Sequence, residues 1–533
     1  MADFKPSIYQ EAIFDFIQNG TGNCVIDAVA GSGKTSTIVK ALKMIPSDKK
    51  VIFVAFNKSI VNELISRVPK NVEVKTMHSF GFGAVRYNMG NVQMKEDKIM
   101  DTIKQLYPTW QIDESVAEGY MFRVRSLVDL ARLNLVNSID ELYEVAEHHG
   151  IELLNSEVEK AWIVLGVTRN FKKIIDMTDM IYLPAYFKMK CKTYDWVFVD
   201  ECQDLNKCQQ EMLKLMIKPN GGRFVAVGDP RQAIYGFAGA DAESFKSLVA
   251  FPRTISLPLS VNYRCPKAVI DLAKAIVPQI EAHDGAPEGI VDYKGKWKDI
   301  ADGDYVLCRN VRPLVKLCME LLIDGKKAQV RGRDIGANLI NMLQRTKQKH
   351  IDKAIERLYF DVDKMISKSV ARGKDENEVR NSTAVRTMKD KIEAIEILAG
   401  DLVLVSDVIS KIDALFSDST SGIVLSTVHK AKGLEADTVH ILNPELMPSR
   451  WAKKEWEREQ ESNLIYVAYT RAKQKLSFIS DYDGNGDGSL KGKGESFKDE
   501  EIESRWKEQR NEKSLSDFKE DNKGRIAKKK FGF

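Results

Sequence analysis

The sequence has no apolar run approaching the roughly 18 residues that a bilayer-crossing helix needs, so a helical membrane span is not expected. Cysteine is sparse: Cys24, Cys191, Cys202, Cys208, Cys265, Cys308 and Cys318 stand scattered, without a CxxC pair. That pattern excludes a disulfide framework, a zinc site and an iron–sulfur cluster, and leaves reduced, mostly buried thiols. An excess of either charge is missing too. With 80 Lys and Arg against 76 Asp and Glu, the net charge of +4 says almost nothing about polyanionic partners, because basic groups can be concentrated in one groove. The opening residues, MADFKPSIYQEAIF, have neither a basic segment followed by an apolar one nor an Arg-rich amphipathic pattern, so no export or transit signal is expected. No internal repeat is visible.

What is present is an ordinary globular composition, 44% hydrophobic and 29% charged over 533 residues, enough for about two to four domains with large cores. CVIDAV (24–29), VIFVAF (51–56) and VEVKT (72–76) alternate with helical stretches, the rhythm of parallel strands with crossover helices. From about 85 to 192 that rhythm gives way to amphipathic helical sequence such as SLVDLARLNLV, and it resumes at WVFVD (196–200) and RFVAVGD (223–229). A second series is expected to begin at TISLPLS (254–260), with Pro266 opening its first helix, and to run through YVLCR (305–309) and AQVRG (328–332). Helical, charge-rich sequence then interrupts it from about 334 to 416, before GIVLST (422–427), DTVHIL (437–442) and KLSFIS (475–480) complete it. The expected class is α/β: two parallel sheets, each with a mainly helical insertion. After about 485 the composition turns to Gly, Lys, Glu and Asp, which cannot bury enough apolar surface to fold, so 486–533 is expected to be a flexible charged tail.

Ala28-Val-Ala30-Gly31-Ser32-Gly33-Lys34-Thr35 lies between a strand and a helix, the setting a phosphate-binding loop requires. The glycines let backbone N–H groups turn inward around phosphate oxygens, and the helix N-terminus adds a favourable dipole. Lys34 is placed to reach the β- and γ-phosphates, and the Thr35 hydroxyl to ligate Mg²⁺. Ala28 stands where the first glycine of GxxxxGK[ST] is usual. Downstream, Val197-Phe-Val-Asp200-Glu201-Cys-Gln203-Asp204 ends an apolar strand in paired acids: Asp200 can hold Mg²⁺ through water, and Glu201 can take the proton of an attacking water.

Further motifs follow in order: Gln10 in PSIYQEAI, VAFNKS (54–59), TMHSF (76–80), VGDPRQAIYGFAGAD (227–241), VNYRC (261–265), STVHKAKGLEADTV (426–439) and ESNLIYVAYTRAKQKL (461–476). With the phosphate loop and the acid pair, this series resembles a superfamily 1 DNA helicase of the UvrD/Rep (PcrA-like) type in a compact form. The likeness covers roughly residues 5–85, 193–345 and 420–480.

The resemblance implies two RecA-like motor domains. The first spans 1–85 and 193–252 with a helical insertion at 86–192; the second spans 253–333 and 417–485 with a small helical insertion at 334–416. It implies ATP and Mg²⁺ as cofactors, with Thr35 and Asp200 at the metal and Ala30, Gly31, Ser32, Gly33, Lys34, Thr35, Ser36 and Gly433 around the nucleotide. Gln10 resembles the residue that hydrogen-bonds the adenine edge, Tyr263 the aromatic that stacks on the base, and Glu435 the carboxylate that holds the ribose. Gln232 is similar to the γ-phosphate sensor, and Arg264 and Arg471 to two arginine fingers, both expected from the second core, so that nucleotide binding and hydrolysis close and open the cleft between the cores. Strand contacts implied by resemblance are Phe56, Asn57, Lys58, Thr76, His78, Tyr235, Phe237, Arg309, Asn310, Thr427 and His429. Aromatics stacking on bases and polar groups holding phosphates make a sequence-blind track.

The implied activity is ATP-dependent 3′→5′ translocation on single-stranded DNA with duplex unwinding, in replication, repair or recombination. The partners are single-stranded DNA and its junctions with duplex, plus a replication or repair protein on the C-terminal tail, and the expected place is the cytoplasm, at the nucleoid or in an infected host cell. The alternative is a motor that strips proteins from DNA with little unwinding. A silent ATP-dependent scaffold is disfavoured by the presence of Lys34, Glu201, Gln232, Arg264 and Arg471 together. Some residues depart from the family pattern. Phe237 and Ala238 replace the usual Trp-Arg, Ser36 stands where Arg is common, and VRGRDIGANLINML (330–343) replaces a GGxxFF pattern. DYDGNGDGS (481–489) imitates the start of a calcium loop but has Gly492 at the position that needs Glu, so it is expected to be a linker. The closing RIAKKKFGF is a docking or solvated segment.

Overall fold

The computed structural model describes residues 5–482 apart from 109–113, 150, 152–154, 172, 235, 237–242, 372–374, 418–420, 450–451, 453 and 481. The expected tail, 486–533, lies outside the described residues, as does all of the calcium-loop imitation except Tyr482.

Six strands form the first sheet: β1 (Asn23–Ala28), β2 (Val51–Ala55), β3 (Val72–Thr76), β4 (Trp196–Val199), β5 (Arg223–Gly228) and β6 (Thr254–Leu259). They run in the order β3-β2-β4-β5-β1-β6, and every pairing is parallel. Its inner strands are apolar on both faces because both faces are covered. Ile26, Phe53 and Phe198 pack against helices α1 (Ile8–Asn19) and α2 (Lys34–Leu42), while Val25, Ile52 and Val197 point to the opposite face. Helix α1 is started by a reciprocal cap between Ser7 and Gln10, an arrangement whose loss costs about 1 kcal/mol.

Strand β6 corrects the sequence reading. TISLPLS was expected to open the second core, but Asn23 to Ala28 of β1 pair with Thr254 to Leu259, so it closes the first sheet as an edge strand. An apolar run looks the same whichever sheet takes it, and here the one-sided exposure of the edge is what it serves.

The first insertion is helical, with helices at Lys98–Leu106, Glu114–Leu133, Ile139–His148, Asn155–Arg169 and Asp179–Tyr186. It does not have a core of its own: Val124, Leu127, Val128 and Leu165 belong to the same buried cluster as Val25, Ile52 and Val197 of the sheet. Within it Arg132 reaches Asp176 at 2.8 Å and Asp179 at 3.1 Å, and Lys98 reaches Asp179 at 2.5 Å, all nearly out of solvent. Removing one partner from such a buried network strands a charge, a loss of about 3–5 kcal/mol.

The second sheet has seven strands: β7 (Ile290–Asp292), β8 (Tyr305–Cys308), β9 (Ala328–Arg331), β10 (Phe416–Ser417), β11 (Ile423–Thr427), β12 (Ala436–Leu442) and β13 (Ala472–Ile479). The order is β7-β13-β12-β8-β11-β9-β10, again parallel throughout. Between β9 and β10 lie helices Arg333–Arg345, Ile351–Val370, Glu376–Arg380, Thr383–Ala399 and Val405–Leu415. No helix among the described residues is long and apolar enough to cross a membrane.

Candidate functional site

In an open parallel sheet the crevice beyond the carboxyl ends of the strands is where ligands bind. Every motif of the first sheet falls there: the glycine-rich turn after β1, Phe56 to Lys58 after β2, Thr76 ending β3, Asp200 and Glu201 after β4, Asp229 to Gln232 after β5 and Tyr263 and Arg264 after β6.

The turn after β1 has the shape of an open cradle. Gly31 and Gly33 have φ of 64° and 74°, left-handed values that glycine adopts without penalty, and a Cβ on Gly33 would meet nothing within 4 Å. The buried Ser32 Oγ has no hydrogen-bond partner among the described residues. Lys34 Nζ lies 2.9 Å from Glu201 Oε2, and Thr35 Oγ1 lies 3.3 Å from Asp200 Oδ2, close enough for one Mg²⁺ to share the hydroxyl and the carboxylate. Among the described residues no group of three His, Cys, Asp or Glu side chains could hold a metal, so an ion here would complete its shell with phosphate and water. The unpaired Ser32 hydroxyl, the open cradle and the oxygen pair fit a nucleoside triphosphate with Mg²⁺.

Electrostatics separate the two acids. Burial, then the charge of Glu201, pushes Asp200 above the usual carboxylate range. Burial pushes Glu201 up as well, but Lys34 and then Lys432 outweigh it and hold the carboxylate ionised. Lys34 is likewise held in its charged form, since Glu201, Asp200 and Asp229 outweigh its burial. Glu201 sits at φ 51°, strained for a non-glycine residue, which is the kind of conformation that functional sites retain.

From Glu201 a hydrogen-bond chain runs across the seam between the sheets. Gln203 Nε2 donates to Glu201 Oε2 at 2.6 Å, and Gln203 Oε1 accepts from the Asp229 amide at 3.0 Å. Gln232 Nε2 donates to Asp229 Oδ2 at 2.8 Å, and Arg471 Nη2 donates to Gln232 Oε1 at 3.3 Å. Arg471 directly precedes β13 of the second sheet and is 2% exposed. Burial, then the neighbouring Arg264, lowers it to about 10.

Arg264 stands at the crossover between the cores, on the segment that leaves β6 of the first sheet and enters the helix Lys267–Ala273, which packs on the second sheet; it lies against Gly31, where a Cβ would come within 2.8 Å of Arg264 Cβ. Its guanidinium pairs with Glu435 at 2.5 Å and donates to the Thr470 carbonyl at 3.3 Å. Glu435, two residues after Gly433 (φ 89°), also pairs with Lys473 at 2.8 Å. Gln10 uses its side chain in the α1 cap and in a 2.9 Å bond to Thr37, leaving one N–H and one oxygen lone pair for a ligand. Tyr263 keeps an exposed ring, 43% accessible, and Ser36 is exposed with Arg67 Nη2 3.4 Å from its hydroxyl.

Several groups at this seam were not singled out in the sequence. Lys432 Nζ donates to Asp204 Oδ2 at 2.6 Å and to the Gln232 carbonyl at 2.8 Å. The Tyr466 hydroxyl accepts from the Ala30 amide at 2.8 Å, and Asn463 donates to the Ala233 carbonyl at 3.0 Å. Asn262, fully buried, donates to the Ala30 carbonyl at 2.6 Å. All lie inside motifs already quoted, but their partners are more than 195 positions away in sequence.

The residues expected on a nucleic-acid track lie along the carboxyl edges of both sheets. Phe56 is 49% exposed beside exposed Asn57 and Lys58, and Thr76 caps the next helix through the Ser79 amide at 3.1 Å. His78, half-buried, is lowered by burial. Arg309 and Asn310 follow β8, and Thr427 ends β11, two residues before His429. Arg309 does not stand open: Glu461 takes it through Nη2 at 2.8 Å and Nε at 3.1 Å. Burial, then Arg309, depresses His429 to about 3. Tyr235 and Phe237 lie outside the described residues.

Comparison with known proteins agrees with this geometry. Residues 10–250 match the UvrD/REP helicase N-terminal domain and residues 335–482 the UvrD-like helicase C-terminal domain. The chain is 24% identical over 500 residues to the F-box DNA helicase protein 1 of Schizosaccharomyces pombe, covering 85% of this chain and 55% of that one. It is 26% identical over 499 residues to the F-box DNA helicase 1 of Gallus gallus, covering 85% and 46%. To the ATP-dependent DNA helicase Rep of Buchnera aphidicola it is 27% identical over 286 residues, covering 48% and 41%. The chain thus spans about half the length of the curated relatives it matches.

Proposed function

Because this chain belongs to the UvrD/Rep family of superfamily 1 helicases, we propose that it is an ATP-driven motor that moves 3′→5′ along single-stranded DNA and opens duplex at the junction. The observation that carries the proposal is the hydrogen-bond chain from Glu201 through Gln203, Asp229 and Gln232 to Arg471, which joins the phosphate loop's acid to a cation of the second sheet.

The chemistry follows from charge. Lys34 now neutralises Glu201; when it turns to the phosphates of ATP, Glu201 loses its main counter-charge, its proton affinity rises, and it becomes fit to take a proton from the attacking water. Mg²⁺ at Thr35 and Asp200 would offset phosphate charge. Arg471 and Arg264 stabilise the charge that develops on the transferring phosphoryl group. Gln232, bonded to both Asp229 and Arg471, senses that group and links it to the second sheet. Hydrolysis thereby tightens or loosens the seam, and a strand held along the carboxyl edges of the two sheets is drawn from one to the other.

The test is ATP hydrolysis with and without single-stranded DNA, then unwinding of duplexes bearing a 3′ or a 5′ overhang. Hydrolysis that DNA stimulates, with unwinding only from the 3′ overhang, is the expected result; unwinding only from the 5′ overhang would overturn the direction, and hydrolysis indifferent to DNA would overturn the motor. RNA in place of DNA checks the track's preference. The compact second insertion favours, as a second reading, displacement of bound proteins with little unwinding, which a protein-displacement assay beside the unwinding assay distinguishes.

A further inference from the structure

Tyr263 offers one face of its ring to solvent, and the other face is covered. The His283 ring stacks on that inner face, with centroids 5.5 Å apart and planes inclined by 22°. Two sets of backbone bonds and one through the Asn262 side chain fix the two rings relative to each other and to the phosphate loop. Val261 and Asn262 pair in parallel with Glu281 and Ala282, and the His283 amide donates to the Asn262 carbonyl at 3.2 Å. The Tyr263 amide donates to the Gly31 carbonyl at 2.9 Å. Asn262 ties the segment to Ala30 and accepts from the amides of Arg264 at 2.8 Å and Cys265 at 2.7 Å. The imidazole is itself held: its Nδ1 accepts from the Gly285 amide at 3.0 Å, which places the remaining ring proton on Nε2. Just beyond, the Tyr9 hydroxyl donates to Glu281 at 2.5 Å, anchoring the histidine's strand beside Gln10.

We propose that His283 is a positioning residue for the nucleotide base: it backs the Tyr263 ring, so that the open face is a preset stacking platform one hydrogen bond away from the loop that grips the phosphates. The proposal rests on the reading of Tyr263 as the base-stacking ring. A half-exposed tyrosine without such backing would sample several rotamers and would have to be ordered each time a base arrived. With His283 behind it, that ordering is already done when the site folds. A flat platform rewards the wider π-face of a purine over that of a pyrimidine, so His283 contributes to base selection without touching the base.

The experiment uses the full chain with saturating single-stranded DNA and measures KM and kcat for ATP and for UTP. His283→Gln keeps a side-chain acceptor for the Gly285 amide but no ring; His283→Phe keeps the ring but no acceptor. The glutamine variant is expected to raise KM for ATP about three- to tenfold, the span set by ordering one mobile side chain, with kcat and the UTP values little changed. The phenylalanine variant is expected to restore the ATP preference. The opposite pattern, rescue by glutamine and loss with phenylalanine, would make His283 a loop brace and overturn the proposal. An unaltered KM for ATP in His283→Gln, while Tyr263→Ala raises it, would overturn the platform and leave the base-stacking role of Tyr263 standing. An unaltered KM in Tyr263→Ala would remove that role and the platform with it.

Discussion

The nucleotide seam and the proposed DNA track are built in opposite ways. At the seam buried and half-buried polar groups are bonded to one another: Lys34 to Glu201, Glu201 to Gln203, Gln203 to Asp229, Gln232 to Arg471, Lys432 to Asp204. Along the track Phe56, Asn57 and Lys58 are exposed, and Asn57 and Thr76 spend their side chains on capping helices. The contrast follows from the tasks. Phosphoryl transfer depends on groups held within fractions of an ångström, whereas a track that accepts any sequence needs stacking faces and mobile cations.

Arg309 breaks that pattern, since it lies at the track yet is gripped by Glu461, which also accepts from the Ser449 amide at 2.8 Å. In this it resembles the groups of the seam.

The comparison can be broken hardest at Arg471. Arg471→Ala should reduce ATP turnover by something on the order of 10³-fold while nucleotide still binds, as judged by steady-state hydrolysis beside equilibrium binding. Unchanged turnover would reduce the hydrogen-bond chain to packing. Next comes Lys432→Ala, which strips Asp204 and the Gln232 carbonyl of a shared donor; hydrolysis in the presence of DNA should fall about 10- to 100-fold, the worth of hydrogen bonds to a charged group, and the DNA-free rate should fall less. On the track side, Glu461→Gln should free Arg309 for phosphate. The slope of log affinity against log salt for single-stranded DNA should then steepen by about 0.7, and an unaltered slope would remove Arg309 from the track.

The smallest effect is one of pH. The His429 pKa lies below its ordinary 6.5, at about 3, so the fold favours the neutral ring: the stability it contributes is complete above 6.5 and drains as pH falls from there toward 3. His429→Gln does not titrate, and its melting temperature should fall less than the parent's between neutral and mildly acidic pH.

Much of this was legible in the sequence because parallel sheets write themselves plainly: VIFVA and WVFV are apolar throughout, CVIDA is so but for Asp27, and the chemistry sits where each run stops. The edge strand Thr254–Leu259 was misassigned because apolarity marks a strand without naming its neighbours. Gln203 and Asp229 were quoted within motifs, but their bond spans 26 positions, and that of Tyr466 to Ala30 spans 436, so no local pattern points to either. The charges of the first insertion, Lys98, Arg132, Asp176 and Asp179, drew no notice in the sequence, where they sit in ordinary amphipathic helical stretches. They are buried because they neutralise one another.

The interior shared by that insertion and the first sheet has a mechanical meaning. With Leu127 and Leu165 packed into the cluster that holds Val25 and Ile52, no layer of solvent or loose side chains separates the two. They form a single lever arm without slack, close-packed and hard to compress. In the stroke proposed above, the insertion and the strand carrying the phosphate loop would therefore turn as one piece.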